Sequence, residues 1–453
     1  MMNIFMNKIQ IKGLVLTTFM GCLATTLTTS CQFEDDDFFD QSASLRVENT
    51  NVKVKEMLPK PANGWVMQYF TGTGVAHFEG FNLFAKFESD TKVTLAGNHR
   101  LLRNGNAGKY TEHKSLYSLL LEDSPVLAFN TWNDILTPLV DPVDPYKAPN
   151  TLMKDGAGMQ GDNNFVIVRY NDQEIIMRGE RYGAEVRLVV CDRDWKQYIA
   201  DCEAMKKTIC GTITSYYITN DSESLYLTGI AGGRVRKSER LEDPIRRDSL
   251  ASVFTPNGIR FEKKDSLGKY AFQEFKLAAD KTCLVNEDGN VKIVPTWDEY
   301  LMEHSGVFVL DPSYFSAAQS SLFNSISNEV RKFDNGWSLK SVGLGKGAGS
   351  DAANGLIFTF YTSKSKTSEA KAYMELTQTR ISLGKIEISQ RDNPACDNNL
   401  TTIGKKATNI INLCKQMAGT LIGKYDVVPN DYFSPTGATY TAYEGGQTFI
   451  LTK

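Results

Sequence analysis

Apolar positions along this chain recur mostly with the two-residue period of a half-buried strand. Phe81, Leu83, Ala85 and Phe87 alternate with mostly polar neighbours, and Val93 and Leu95 continue the pattern beyond a Ser89-Asp90 turn. Further strands are predicted at 65–70, 115–121, 126–129, 165–170, 174–178 and 185–190. A second set lies at 225–227, 258–261, 272–277 and 291–294, with Glu287-Asp288-Gly289-Asn290 as a hairpin turn. A third lies at 356–361, 372–376, 381–383 and 385–389, with 449–451 closing a turn-rich tail. Helical stripes are fewer. Residues 42–60 carry scattered aliphatics and stop at Pro59 and Pro61. Asp194 caps a stripe of Trp195, Ile199, Cys202, Met205 and Ile209. Ala318, Leu322, Ile326, Val330 and Phe333 form another, Ile410, Cys414, Met417 and Leu421 a fourth, and Thr296 caps a short helix from Trp297. Residues 137–163 have no period and read as a long loop, and 234–247 as a solvated charge run.

This pattern predicts an α+β protein of strand-rich antiparallel sheets with a few flanking helices. Asn63-Gly64-Trp65 and Asn335-Gly336-Trp337 each follow a helix and open a strand, which suggests duplicated helix-NGW-strand sections. Trp195 and Tyr198 are spaced like Trp297 and Tyr300, a second echo. The Asn-Gly pair supplies the positive φ needed past a helix end, and the tryptophan packs back across the helix. The expected divisions are an N-terminal α+β domain at 42–210, a β-rich middle section at 211–295 and a C-terminal α+β domain at 296–453.

The first thirty residues differ from the rest. Lys8 and Lys12 precede an apolar, threonine-rich run at 13–29 that is short for a membrane span, so 1–30 reads as a signal peptide. Cys22 and Cys31 both follow a small residue, and neither has Leu three positions earlier. Cys31 is preferred as the lipidation site, because the apolar run then lies wholly upstream and an acidic tether, 31–41, downstream. Acyl chains on Cys31 would hold the body at a lipid bilayer. Removing Lys8 and Lys12 takes the formal charge from -3 to -5, which argues against nucleic-acid binding. The six remaining cysteines are widely spaced without a CxxC, so buried thiols are expected rather than a disulfide framework or a zinc site.

Several stretches together resemble a known family. They are Cys31 with the following EDDDFFD, Ser42-Ala43 and Arg46, then NGW with the aromatic strand at 65–70. Ser115–Leu119, Pro125–Thr131 and the hairpin at 165–190 continue the likeness, as do Gly258-Ile259-Arg260-Phe261 and Phe272-Gln273-Glu274-Phe275. The family comprises Bacteroidetes lipoproteins known only as a domain of unknown function (forty-three-oh-two), and the resemblance covers essentially the mature chain. It implies a surface lipoprotein of the outer membrane, facing the cell exterior and working beside nutrient-uptake systems. It carries over no catalytic residue.

Motifs for chemistry are weak. His77, His99, His113 and His304 lack HExxH spacing, no GxSxG occurs, and no cofactor motif is found. Ser363-Lys364-Ser365-Lys366 fits SxxK but reads as a solvated turn, and the glycine run 343–350 fails the P-loop template and reads as a flexible connection. Asp288 and Asn290 lack the other ligands of a calcium loop. Sugar binding needs surface aromatics beside polar side chains. Trp132, in Asn130-Thr131-Trp132-Asn133-Asp134, is the best candidate, with Tyr146 in the adjoining loop; the alternative is a core tryptophan closing the first sheet. The expected role is a binding or accessory lipoprotein for a carbohydrate or peptide ligand. The alternatives are a hydrolase whose carboxylates converge only in space and a structural partner of an outer-membrane transporter.

Overall fold

The strand Trp65–Phe70 is buried along its whole length because both of its faces are covered. Trp65, Met67 and Tyr69 point into one core, while Val66 and Phe70 lie in separate apolar clusters outside it. A computed structural model describes this arrangement for residues 42–71, 78–88, 91–141, 159–220, 222–239, 249–303, 308–346, 354–445 and 448–453. The signal segment, Cys31, the tether, the Ser89-Asp90 turn and Tyr146 lie outside the described residues.

From Trp65–Phe70 to Glu185–Val190, eight consecutive antiparallel strands form a closed barrel, Trp65 pairing with Val190. Closure removes the exposed edges that an open sheet must protect. Alternate side chains fill the interior, among them Leu83, Leu95, Tyr117, Phe165 and Ile175. The helix Ala43–Met57, capped by Ser42, adds Val54, Met57 and Leu58 to that core. Its end is fixed by Trp65, whose Nε1–H donates to the Leu58 carbonyl at 2.8 Å.

A second closed barrel of eight strands runs from Ser215–Thr219 to Lys292–Pro295 around Ile218, Val235, Ile259, Phe261 and Phe275. Four of its strands, Ser215–Thr219, Arg234–Ser238, Ser249–Thr255 and Leu284–Asn286, were not expected from the hydrophobic pattern. The expected charge run begins as the strand Arg234–Ser238, because a barrel wall tolerates charges outside while Val235 fills the inside. Thr296 stands at the start of the helix Trp297–Glu303, where its carbonyl accepts the Tyr300 N–H at 3.1 Å, while its hydroxyl donates to the Ser215 carbonyl at 3.0 Å.

The C-terminal part is an open nine-stranded sheet whose edge strands, Glu369–Glu375 and Thr377–Ser382, are separated in sequence only by Leu376. The helices Ala317–Val330 and Ile410–Gly419 press Ile326, Val330, Cys414 and Met417 into its core. Two corrections fall here. Gly343 and Gly345 belong to the strand Ser338–Lys346 rather than to a flexible connection, and the tail contains the additional strands Gly423–Pro429 and Gly437–Ala442.

Three parts are joined by specific contacts. The helix Trp195–Ile209 lies outside the first barrel, with Tyr198 and Cys202 against Val66, Phe84 and Ala96. Phe70 meets Ala251 and Val253 of the second barrel, and Gly80 lets them approach, since a Cβ there would sit 2.3 Å from Phe70 and 2.5 Å from Val253. Between the second barrel and the C-terminal sheet, Arg380 donates to Asp298 at 2.7 Å and to the Tyr217 hydroxyl at 2.6 Å. Among the described residues, no helix is long and apolar enough to cross a membrane.

Candidate functional site

The antiparallel order sends the chain out of the first barrel at one end after Phe70, Gly97, Phe129 and Gly179. The long connections therefore gather at one mouth. Two buried polar residues organise it. Asp162 accepts backbone N–H groups of Arg181, Tyr182 and Ala184 at 2.9–3.0 Å, and its own N–H and carbonyl both bond the Tyr69 hydroxyl. Asn133 accepts from Ile135 N at 2.9 Å and donates to Ser115 Oγ at 2.9 Å.

Trp132 stands beside that anchor and is 54% exposed, so it is not the core tryptophan of the alternative expectation. Its indole Nε1–H donates to Asp134 at 2.6 Å, Asp134 pairs with His113 at 2.8 Å, and the Arg103 guanidinium lies 5.4 Å from the ring centre. The Trp132 hydrogen bond and then His113 hold the Asp134 carboxyl below its ordinary range. An exposed ring with its edge tied down loses little freedom when a ligand stacks on it.

A second site lies between the barrels and was not singled out from the sequence. A cleft of about 700 Å³ runs from Asn171 and Glu174 on the first barrel to Glu274 and Asp288 on the second. Beside it opens a chamber of about 310 Å³ reaching Glu185 and Glu262. Arg169, Arg187, Arg260 and Lys264 line both. Two strand irregularities shape the walls, one between Ile167 and Arg169 and one between Arg260 and Asp265. Such bulges re-aim side chains, here placing Arg169 and Lys264 at the shared wall. Arg187 bridges the barrels, 2.6 Å from Glu174 and 3.4 Å from Glu274. Arg260 is only 7% exposed, and burial followed by the nearby Arg187 charge brings its pKa down to about 10. The signal was present in Gly258-Ile259-Arg260-Phe261. Ile259 and Phe261 fill the barrel, so Arg260 must face outward, yet only the packing of two barrels makes that outward face buried.

Burial, then the Glu262 charge, raises the Glu185 pKa. Arg178, Arg260 and Lys263 oppose that rise. A carboxyl with a raised folded pKa favours the folded state fully below its unfolded value, near 4.3, and loses that contribution as pH climbs through the folded value. Glu185→Gln should therefore raise the thermal midpoint by about 1–3 °C at neutral pH and leave it unchanged near pH 4. Thermal melts at both pH values check this, and an equal gain at both would contradict the coupling.

The other candidates behave as structure. His99 is buried against the Ile135 carbonyl at 2.8 Å, and burial lowers its pKa to about 4, so it is neutral. His77 and His304 lie outside the described residues, among which no group of three His, Cys, Asp or Glu side chains is placed to hold a metal. Cys191, Cys202, Cys210, Cys283, Cys396 and Cys414 are free thiols. Ser363 and Lys366 lie in the turn between Asn354–Tyr361 and Glu369–Glu375.

These features define a protein of two serial β-barrels and an open sheet, with a polar cleft between the barrels. The chain belongs to the family described as Domain of unknown function (DUF4302), whose model matches residues 35–279, more than half of its length. The matched stretch contains the first barrel and every residue lining the smaller chamber. No curated protein matches the chain.

Proposed function

We propose that the protein is a membrane-anchored lipoprotein of the outer cell surface, held through Cys31 and serving as a binding or accessory component of a glycan or peptide uptake system. Signal-like residues 1–30 and the acidic tether support the anchor. The observation that carries the binding role is Trp132, an exposed ring with its edge fixed by Asp134 at the mouth where the long connections gather. Pyranose CH faces stack on such rings while hydroxyls meet neighbouring polar groups, here Asn130 and Arg103. The uptake context makes an outer-membrane transporter the expected neighbour.

The test is a glycan and peptide panel against residues 42–453. Trp132→Ala should weaken the bound member about tenfold. Absence of binding throughout, or unchanged binding in the variant, refutes the platform. A hydrolytic reading has one observation in its favour, since Glu185 and Glu262 face one chamber and the Glu185 pKa is raised. Product release from a panel member, lost in Glu185→Gln, would replace the binding reading with that one.

A further inference from the structure

Arg260 is more than nine-tenths buried, yet among the described residues its guanidinium has no carboxylate within ion-pair distance. Among the described residues, its one hydrogen bond joins Nη1–H to the Phe261 carbonyl at 3.3 Å. A guanidinium offers five N–H donors, and burying one costs free energy unless an anion meets it. Of the carboxylates near it, Glu185 shares the chamber beyond ion-pair distance, and Glu174 and Glu274 are committed to other arginines. Glu174 accepts from Arg187 at 2.6 Å and from Arg169 at 3.5 Å, and Glu274 accepts from Arg187 at 3.4 Å.

The smaller chamber keeps a small excess of cations. Arg169 and Arg187, on its wall, pair with Glu174 and Glu274, which leaves Arg260, Lys263 and Lys264 facing the carboxylates of Glu185 and Glu262. Lys263 and Lys264 sit on the irregular stretch between Arg260 and Asp265, which carries them to the chamber rim. The chamber opens beside a longer polar cleft, so a charged group seated in it can belong to an extended ligand.

We propose that this inter-barrel chamber is a binding site for an oxyanion, a carboxylate or sulfate ester borne on a polar ligand, with Arg260 as its floor and Lys263 and Lys264 at its rim. Arg fits such groups because its planar fork can meet two oxygens at once. The site is separate from the Trp132 platform and does not depend on it.

Calorimetric titration of the complete mature chain with inorganic sulfate, glucuronate and neutral glucose tests the proposal at low and high salt. Saturable binding of sulfate or glucuronate is expected, with none for glucose, and the stronger of the two identifies the source of the oxyanion. Arg260→Gln should weaken it about tenfold, the scale of a charge-assisted contact. Lys263→Ala with Lys264→Ala, at exposed positions that leave the barrel core intact, should weaken it about threefold and flatten its salt dependence. Trp132→Ala should leave it unchanged, so a failure here is distinguishable from a failure of the platform. No saturable binding of either anion, equal binding of glucose, or unaltered affinity in both cleft variants overturns the proposal.

Discussion

Replacing Arg380 with Ala is expected to destabilise the fold by about 3–5 kcal/mol. The reason is Asp298, whose side chain has no solvent exposure and whose counter-charge is Arg380 at 2.7 Å. Asp298 also accepts the Gly384 and Glu299 backbone N–H groups at 3.3 and 3.0 Å, but these neutral donors do not cancel a buried negative charge. Arg380 further lies 4.5 Å from the Tyr217 ring centre, and Tyr217 bonds Tyr226 and Glu299, so one side chain fastens the second barrel to the C-terminal sheet. Burial raises the Asp298 pKa and Arg380 opposes that rise. Without Arg380 it climbs further, and a carboxyl of raised folded pKa stabilises most at low pH. The deficit should therefore be smaller near pH 5 than near pH 8. Urea unfolding at both pH values measures it. Arg380→Met combined with Asp298→Leu should recover most of the loss, since replacing a buried pair by apolar groups is often neutral. A double variant no better than Arg380→Ala would show that geometry, not charge, holds the joint.

What the residues disclosed depended on how far the relevant contact lay along the chain. The strand 65–70, the hairpin at 174–190 and the Asp194-capped helix could be read because period, cap and turn are local. The strand Ser249–Thr255 could not, because serines and a threonine are buried there by neighbouring walls and broke the expected alternation. Barrel closure is equally hidden, since it rests on pairing Trp65 with Val190 across more than a hundred residues. The two candidate sites divide in the same way. Trp132 stood out because its polar neighbours and the long loop adjoin it in sequence. The cleft did not, because Arg169, Arg187 and Arg260 come from two barrels and meet only after both have closed.

Trp65→Ala carries the other large expectation, a loss of about 3–5 kcal/mol. The ring is 1% exposed, so its removal leaves a cavity in the first barrel, and the Leu58 carbonyl loses its 2.8 Å donor. The same Asn-Gly-Trp sequence at 335–337 predicts an equal cost from pattern alone, and the structure predicts a smaller one. Trp337 is only partly buried, with its ring centre 5.1 Å from Phe333 and 6.2 Å from Phe360, so Trp337→Ala should cost about 1–2 kcal/mol. The preceding glycines separate further. Gly64 has φ +66°, and a Cβ there would lie 2.4 Å from the Ala85 carbonyl oxygen, a backbone atom that cannot turn aside. Gly336 is not left-handed. Its N–H bonds the Asp334 carboxylate at 2.8 Å, and the nearest atom to an added Cβ is that same movable side chain at 3.2 Å. Gly64→Ala should thus cost about 1–3 kcal/mol and Gly336→Ala far less. Denaturation midpoints of the four variants decide whether the motif acts through its letters or its surroundings. Equal losses at the two sites would favour the letters, and the tryptophan burial and glycine geometry described here require them to differ.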